Sequence, residues 1–137
     1  MIKFLYFTDT HIRGTAPKNR LDSFPETLKN KISQVIEIAK NEQVDVLLHG
    51  GDVFDRPDLS PSTVGQFAQI FRQAHAPIYT VSGNHDTFGH NPETVSRTML
   101  GLLDAFGIMT LIHPDQPIFL EKEGLKVQFS GNRTTMI

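Results

Sequence analysis

Short apolar runs alternate along this chain with stretches in which apolar residues recur every three or four positions. Ile2 to Phe7 is apolar, β-branched or aromatic, which predicts a buried strand, and it breaks at the polar Thr8-Asp9-Thr10-His11. From about Pro25 to Asn41, the helical spacing of Leu28, Ile32, Val35, Ile36 and Ala39 predicts an amphipathic helix. Val44 to Leu48 reads as the next buried strand. It ends at His49-Gly50-Gly51-Asp52, where two glycines permit unusual backbone angles. Ser60-Pro61 starts a second helix with proline in its first turn, and Val64, Phe67, Ile70 and Phe71 form its inner face. Pro77 to Val81 is a third strand and stops at Ser82-Gly83-Asn84-His85-Asp86. A further helix is predicted over about Pro92 to Phe106, with Val95, Met99, Leu102 and Leu103 in register, followed by a strand over Ile108 to Ile112. Ile118 to Leu120 and Leu125 to Phe129 predict an antiparallel hairpin around Glu121-Lys122-Glu123-Gly124.

Strand, helix, strand, helix, strand, with crossovers this long, predicts parallel pairing with right-handed connections and hence a layered α/β fold, β-sheets flanked by helices. Val127 to Asn132 resembles a strand delivering its loop, yet only five residues follow. The expectation is that residues 1–137 form the N-terminal portion of a single domain. With 39% hydrophobic residues in 137, the chain can bury a real core. A net charge of −2 gives the bulk electrostatics no pull toward nucleic acid or anionic membrane, so any DNA contact must be local. No apolar run reaches membrane-spanning length and no signal-peptide pattern opens the chain, which reads as soluble and cytoplasmic. The absence of cysteine excludes disulfides and thiolate sites. Any metal must then be held by His, Asp, Glu or Asn, a set that favours manganese, magnesium or iron.

In an open parallel sheet the loops at the carboxyl ends of the strands converge on one crevice. The first such loop carries Asp9 and His11, whose spacing puts both side chains on one side if strand geometry persists. The second carries Asp52, a carboxylate whose two oxygens suit it to bridging two cations. The third carries Asn84, a neutral oxygen ligand, and His85, an imidazole able to act as acid or donor near neutral pH. Asp55 and Asp86 stand just behind. Singly, each of these residues has a plain explanation in turn chemistry or helix capping. Together, strand ends carrying D-x-H, G-D and G-N-H-D are more than turn chemistry asks for, because turns need no histidine.

Asp9-x-His11, Gly51-Asp52-Val53-Phe54-Asp55 and Gly83-Asn84-His85-Asp86 resemble, in order and spacing, the first three motifs of the calcineurin-like metallophosphoesterase superfamily. The resemblance extends to about Ile112. His49 to Pro57 followed by Ser60-Pro61-Ser62-Thr63 looks most like the SbcD-type nuclease subunit of double-strand-break repair and recombination. The resemblance implies a layered metallophosphoesterase fold and two divalent ions, manganese foremost, with magnesium or iron possible. Asp9 and His11 would hold the first ion, Asp52 would bridge, and Asn84 would bind the second. His85 would sit beside the scissile phosphate, stabilising charge or protonating the leaving alkoxide, with Asp86 orienting its ring. The implied partners are DNA, an SMC-like ATPase subunit and a second copy in a homodimer, with no membrane.

The superfamily completes its site with a later lone histidine and a Gly-His-x-His element, and neither is present here. Either the chain is part of a longer protein, which its abrupt end favours, or it is a degenerate relative. Arg13 and His90 are candidates for substrate contact, although a lone surface arginine and a turn histidine read as plainly. His49 is a polar residue closing a buried strand behind the site. Lys18-Asn19-Arg20 reads as a solvated loop, His75 as a helix-end partner and His113 as a turn residue. Two other functions stay open: a phosphatase or nucleotide phosphodiesterase with a small substrate, which the near-neutral charge allows, and a catalytically incomplete scaffold.

Overall fold

Strands β1 (Phe4–Phe7), β2 (Val46–His49), β3 (Ile78–Thr80) and β4 (Thr110–Leu111) form a parallel sheet in the order 1-2-3-4. This computed structural model describes residues 1–131 apart from Pro17 and Asn19, and only the backbone of Asn84, His90, Pro92 and Glu93. The register aligns Phe7, His49, Thr80 and Leu111 in one row, so the loops that follow the strands leave the sheet at a common level.

Helix α1 (Phe24–Asn41) carries Pro25 in its first turn, with Glu26 near its start and Lys40 near its end, both complementing the helix dipole. It buries Ile32, Ile36 and Ala39, while Leu28 and Val35 pack against the core from its flank. Helix α2 (Pro61–Phe71) is capped by Ser60, whose hydroxyl accepts from the Thr63 backbone N–H at 3.2 Å, and it buries Val64, Phe67 and Phe71. A strand order that never reverses places successive right-handed crossovers on the same face of the sheet. Leu5 and Phe7 of β1 accordingly face the helix-side core, whereas the alternate residues Phe4 and Tyr6 are 59% and 61% exposed. The expectation of a buried first strand is corrected: β1 packs against the core through Leu5 and Phe7 only.

On that other side a hairpin of β5 (Ile118–Lys122) and β6 (Leu125–Phe129) brings Phe129 to 6.1 Å from the Tyr79 ring, and Lys122 Nζ lies 2.9 Å from Asp45. Its turn is tighter than expected. Glu121 and Lys122 pair within the ladder, and Glu123-Gly124 alone reverse the chain, with φ of 53° and 78° that match the twist of the strands.

The helix expected over residues 92–106 is divided. A 3-10 segment spans Pro92–Arg97, Thr98 is extended, and α3 (Met99–Ala105) begins after it. The Thr98 hydroxyl accepts from the Gly101 N–H at 3.1 Å, so a capping residue intervenes where periodicity alone suggested continuity. The restart rotates the face: Leu100 and Leu103 are buried and Leu102 is 43% exposed. No helix among the described residues is long and apolar enough to cross a membrane.

Candidate metal centre

The loops after β1 and β2 do not separate at the strand ends but continue side by side. Gly50 N–H donates to the Phe7 carbonyl (3.0 Å), Asp9 N–H to Gly51 (3.1 Å), His11 N–H to Asp52 (3.0 Å), Ile12 N–H to Val53 (2.9 Å), and Asp55 N–H to Ile12 (3.0 Å). Ile12, Val53 and Phe54 are fully buried and anchor both loops in the core. The polar residues between them are left on the crevice side.

This course requires left-handed backbone at three residues that carry no glycine: Asp9 (φ 54°), His11 (φ 44°) and Asp52 (φ 53°). The other described non-glycine cases, Gln43 and Glu123, lie in the turn after α1 and in the hairpin. Strained backbone of this kind persists where the surroundings over-determine it, and it clusters at functional sites. The expectation that Asp9 and His11 share a side through strand geometry is corrected. Left-handed steps, not a pleat, bring Asp9 Oδ1 to 3.7 Å from His11 Nε2.

The third loop closes on the second. Asp52 Oδ1 accepts from the His85 backbone N–H at 2.9 Å. Gly83 passes so near that an added Cβ would lie 2.5 Å from the Asp52 backbone nitrogen and would strike its carboxylate. Ligand atoms of His11, Asp52 and His85 thereby come within 4.8 Å of one another. The His11 and His85 rings meet edge to face, with centroids 5.0 Å apart. His85 Nδ1 lies 3.0 Å from the Asp55 carbonyl, which can only accept, so Nδ1 carries the proton and Nε2 of the neutral ring keeps its lone pair. The Asp55 carboxylate flanks the same cluster, 3.8 Å from His11 Nδ1 and 3.8 Å from Arg13.

A carboxylate and two imidazoles converging from separate loops, with Asp9 beside them, are oxygen and nitrogen donors suited to a divalent ion. The arrangement fits that group. The side chains of Asn84 and His90 lie outside the described residues.

Asp86 has a different place from the one expected. It is 0% exposed, and its carboxylate accepts from the backbone N–H groups of Gly83 (2.9 Å), Phe54 (3.0 Å) and Val53 (3.3 Å). The His85 ring is positioned instead by the Asp55 carbonyl. Burial raises the Asp86 pKa above the ordinary carboxylate value, against the opposing effect of those three donors. Asp86 ties the second loop to the third.

His49 lies behind the cluster at 3% exposure, in edge contact with Phe7 at 4.8 Å. Burial lowers its pKa to about 4, so the ring is neutral at physiological pH. Thr10 was not singled out in the sequence. Its hydroxyl sits 3.1 Å from His49 Nε2 and donates to the Val53 carbonyl at 2.8 Å. The only signal for it was a hydroxyl set between the two ligands of D-x-H. His75, expected to cap or balance a helix end, instead lies four residues beyond α2 and bonds the carbonyl of Val44, in the segment that leads into β2, at 3.0 Å.

A profile of the calcineurin-like phosphoesterase family matches residues 2–135. The chain is also similar to proteins named DNA double-strand break repair protein Mre11. That of Saccharolobus solfataricus is 26% identical over 117 residues, covering 83% of this chain and 30% of the relative. That of Aeropyrum pernix is 31% identical over 109 residues, covering 77% and 26%. That of Sulfurisphaera tokodaii is 32% identical over 90 residues, covering 62% and 22%. The chain spans less than a third of the length of these relatives.

Proposed function

The chain belongs to the calcineurin-like phosphoesterase family, and from that premise we propose that it supplies the first metal-binding loops of a metal-dependent DNA phosphodiesterase acting in double-strand-break repair. The observation that carries this reading is the convergence of His11, Asp52 and His85 within 4.8 Å, with Asp9 beside them, on backbone held in left-handed conformations. The Mre11 names of relatives at 26–32% identity support DNA as substrate, with an SMC-like ATPase and a second copy as the partners that the motif resemblance suggests.

Asp9 and His11 would hold one ion and Asn84 a second, with Asp52 shared between them. Two divalent ions, manganese foremost with magnesium or iron as substitutes, would supply Lewis acidity and would activate water. His85, with Nδ1 donating to the Asp55 carbonyl, would stand beside the ions rather than hold one, and its Nε2, when protonated, would neutralise charge or deliver a proton to the leaving oxygen. Arg13, steadied by Asp55, lines a cavity of about 300 Å³ with Arg56, Ser60 and Thr63 beside the cluster, a place for an adjoining phosphate. His90 is proposed to contact substrate from the third loop.

The test is cleavage of linear duplex DNA and of a chromogenic phosphodiester by the full-length protein, with and without manganese. Both activities are expected to require the metal, and His85→Ala is expected to reduce them about a thousandfold. Cleavage of the small diester with none of DNA favours the phosphatase or nucleotide phosphodiesterase reading. No cleavage and no metal uptake favours the incomplete scaffold.

A further inference from the structure

We propose that Thr10 and His49 are positioning residues for the metal site, a hydrogen-bonded latch that fixes the Asp9-His11 loop against the Asp52 loop. The inference rests on the metal-site reading and adds to it two residues that carry no ligand atom.

The direction of each hydrogen bond in the latch is set by chemistry. The Gly51 backbone N–H points at His49 Nδ1, 3.0 Å away, and an N–H can only donate. Nδ1 is therefore bare, and the proton of the neutral ring is on Nε2. Nε2–H donates to the Thr10 hydroxyl at 3.1 Å, and that hydroxyl passes its own hydrogen to the Val53 carbonyl at 2.8 Å. The chain thus runs Gly51 N–H, His49, Thr10, Val53 C=O. It starts one residue before Asp52 and ends one residue after it, and on the way it crosses the residue between Asp9 and His11.

Both connected segments hold left-handed backbone at the candidate ligands, so neither keeps its course by intrinsic preference. Backbone bonds tie Asp9 to Gly51 and His11 to Asp52. The latch adds a side-chain tie at the intervening Thr10, made by a ring that is 3% exposed and seated edge-on against Phe7. A buried ring with both nitrogens engaged leaves little freedom for the loops to slide past each other. Partners beneath metal ligands typically govern affinity by about 10- to 100-fold.

Amide side chains separate the two ends of the latch. In His49→Gln the side-chain NH₂ falls near the position of Nε2 and can still donate to Thr10. In His49→Asn the amide oxygen falls near Nδ1 and can serve only Gly51. Thr10→Val keeps the shape without the hydroxyl, and Thr10→Ser keeps the hydroxyl.

Manganese affinity of the full-length protein, followed by the electron paramagnetic resonance signal of free Mn²⁺ during titration, reads the effect without reference to cleavage. Thr10→Val and His49→Asn are expected to weaken binding about tenfold or more, with Thr10→Ser and His49→Gln within about threefold of the parent. Melting by circular dichroism identifies which variants are folded. Ring ¹⁵N shifts of the metal-free parent are expected to show His49 as the neutral Nε2–H tautomer. Thr10→Val that is folded and binds manganese as tightly as the parent overturns the latch, as does an Nδ1–H tautomer. Should Thr10→Val not fold, His49→Gln decides: retained affinity supports the latch, and loss of affinity in a folded His49→Gln overturns it. A parent protein that takes up no manganese defeats the metal-site reading itself, an outcome distinct from an indifferent Thr10→Val.

Discussion

Asp86 and His49 are 0% and 3% exposed, whereas Asp9 and His11, on the loops they support, keep side-chain exposures of 57% and 34%. All four are polar, and the difference lies in what their lone pairs and protons meet. In the lower tier every described bond runs to backbone or to Thr10: Asp86 takes three N–H groups, and His49 takes one and gives one. In the upper tier Asp9 and His11 face each other at 3.7 Å, too far for a strong bond. The contrast separates polar groups satisfied within the fold from a pair left partly exposed at the crevice.

Removing the lower tier tests this most severely. Asp86→Ala leaves the buried N–H groups of Val53 and Phe54 and the part-buried one of Gly83 without an acceptor, and unfolding by urea is expected to register a loss of about 4 kcal/mol, at roughly 1–3 kcal/mol for each unpaired group. A loss as small as that of a surface substitution would erase the distinction between the tiers.

Acid sharpens the comparison through His49. The unfolded ring takes up a proton near 6.5 and the folded ring only near 4. Its contribution is therefore fully present above 6.5 and is lost as pH falls through that window, on the order of 3 kcal/mol in all. Asp86 acts with opposite sign, because its folded pKa is raised and protonation on acidification favours the folded chain. The difference in urea stability between the parent and His49→Gln, measured from pH 7 to 4, isolates the histidine. A flat difference would mean that the ring is accessible to protons in the folded state.

Gly83→Ala attacks the contact between the tiers. The new Cβ would meet Asp52 backbone, so a loss of about 2 kcal/mol is expected together with weakened manganese binding. Unchanged stability and affinity would show that the third loop has room to withdraw.

The smallest effect has the opposite sign. His11→Gly relieves left-handed strain at φ 44°, partly offset by the greater freedom of glycine in the unfolded chain. Thermal melting is expected to show a gain of up to about 1 kcal/mol while manganese affinity is lost, the pattern of a residue kept for function at the expense of stability. A destabilised His11→Gly would place His11 in the lower tier.

The hydrophobic pattern located every strand and both long helices, because Ile32, Ile36, Phe67 and Phe71 are buried at the spacing their elements dictate. It failed at Thr98, where one hydroxyl capping Gly101 outweighs periodicity and turns Leu102 outward. It also failed at Phe4 and Tyr6, because the side of a sheet that receives cover depends on strand order, which no local pattern contains. Within the site, the three motifs marked the loops that bring His11, Asp52 and His85 together. The left-handed angles at Asp9, His11 and Asp52 were not legible, since they arise from hydrogen bonding between two loops about forty residues apart. Asp86 looked like one more carboxylate beside a histidine. Its inward turn follows from the N–H groups that the Asp52 loop leaves without partners, a tertiary requirement.

The unreversed strand order also sets a timetable. A ribosome delivers β1, α1 and β2 first, and the paired loops bearing Asp9, His11 and Asp52 can form as soon as β2 has cleared the exit tunnel. The carboxylate that steadies Val53 and Phe54, and the ring that completes the cluster, arrive one crossover later with the loop after β3. A nascent chain released before residue 86 would expose an unsupported pair of loops with only part of its donor set.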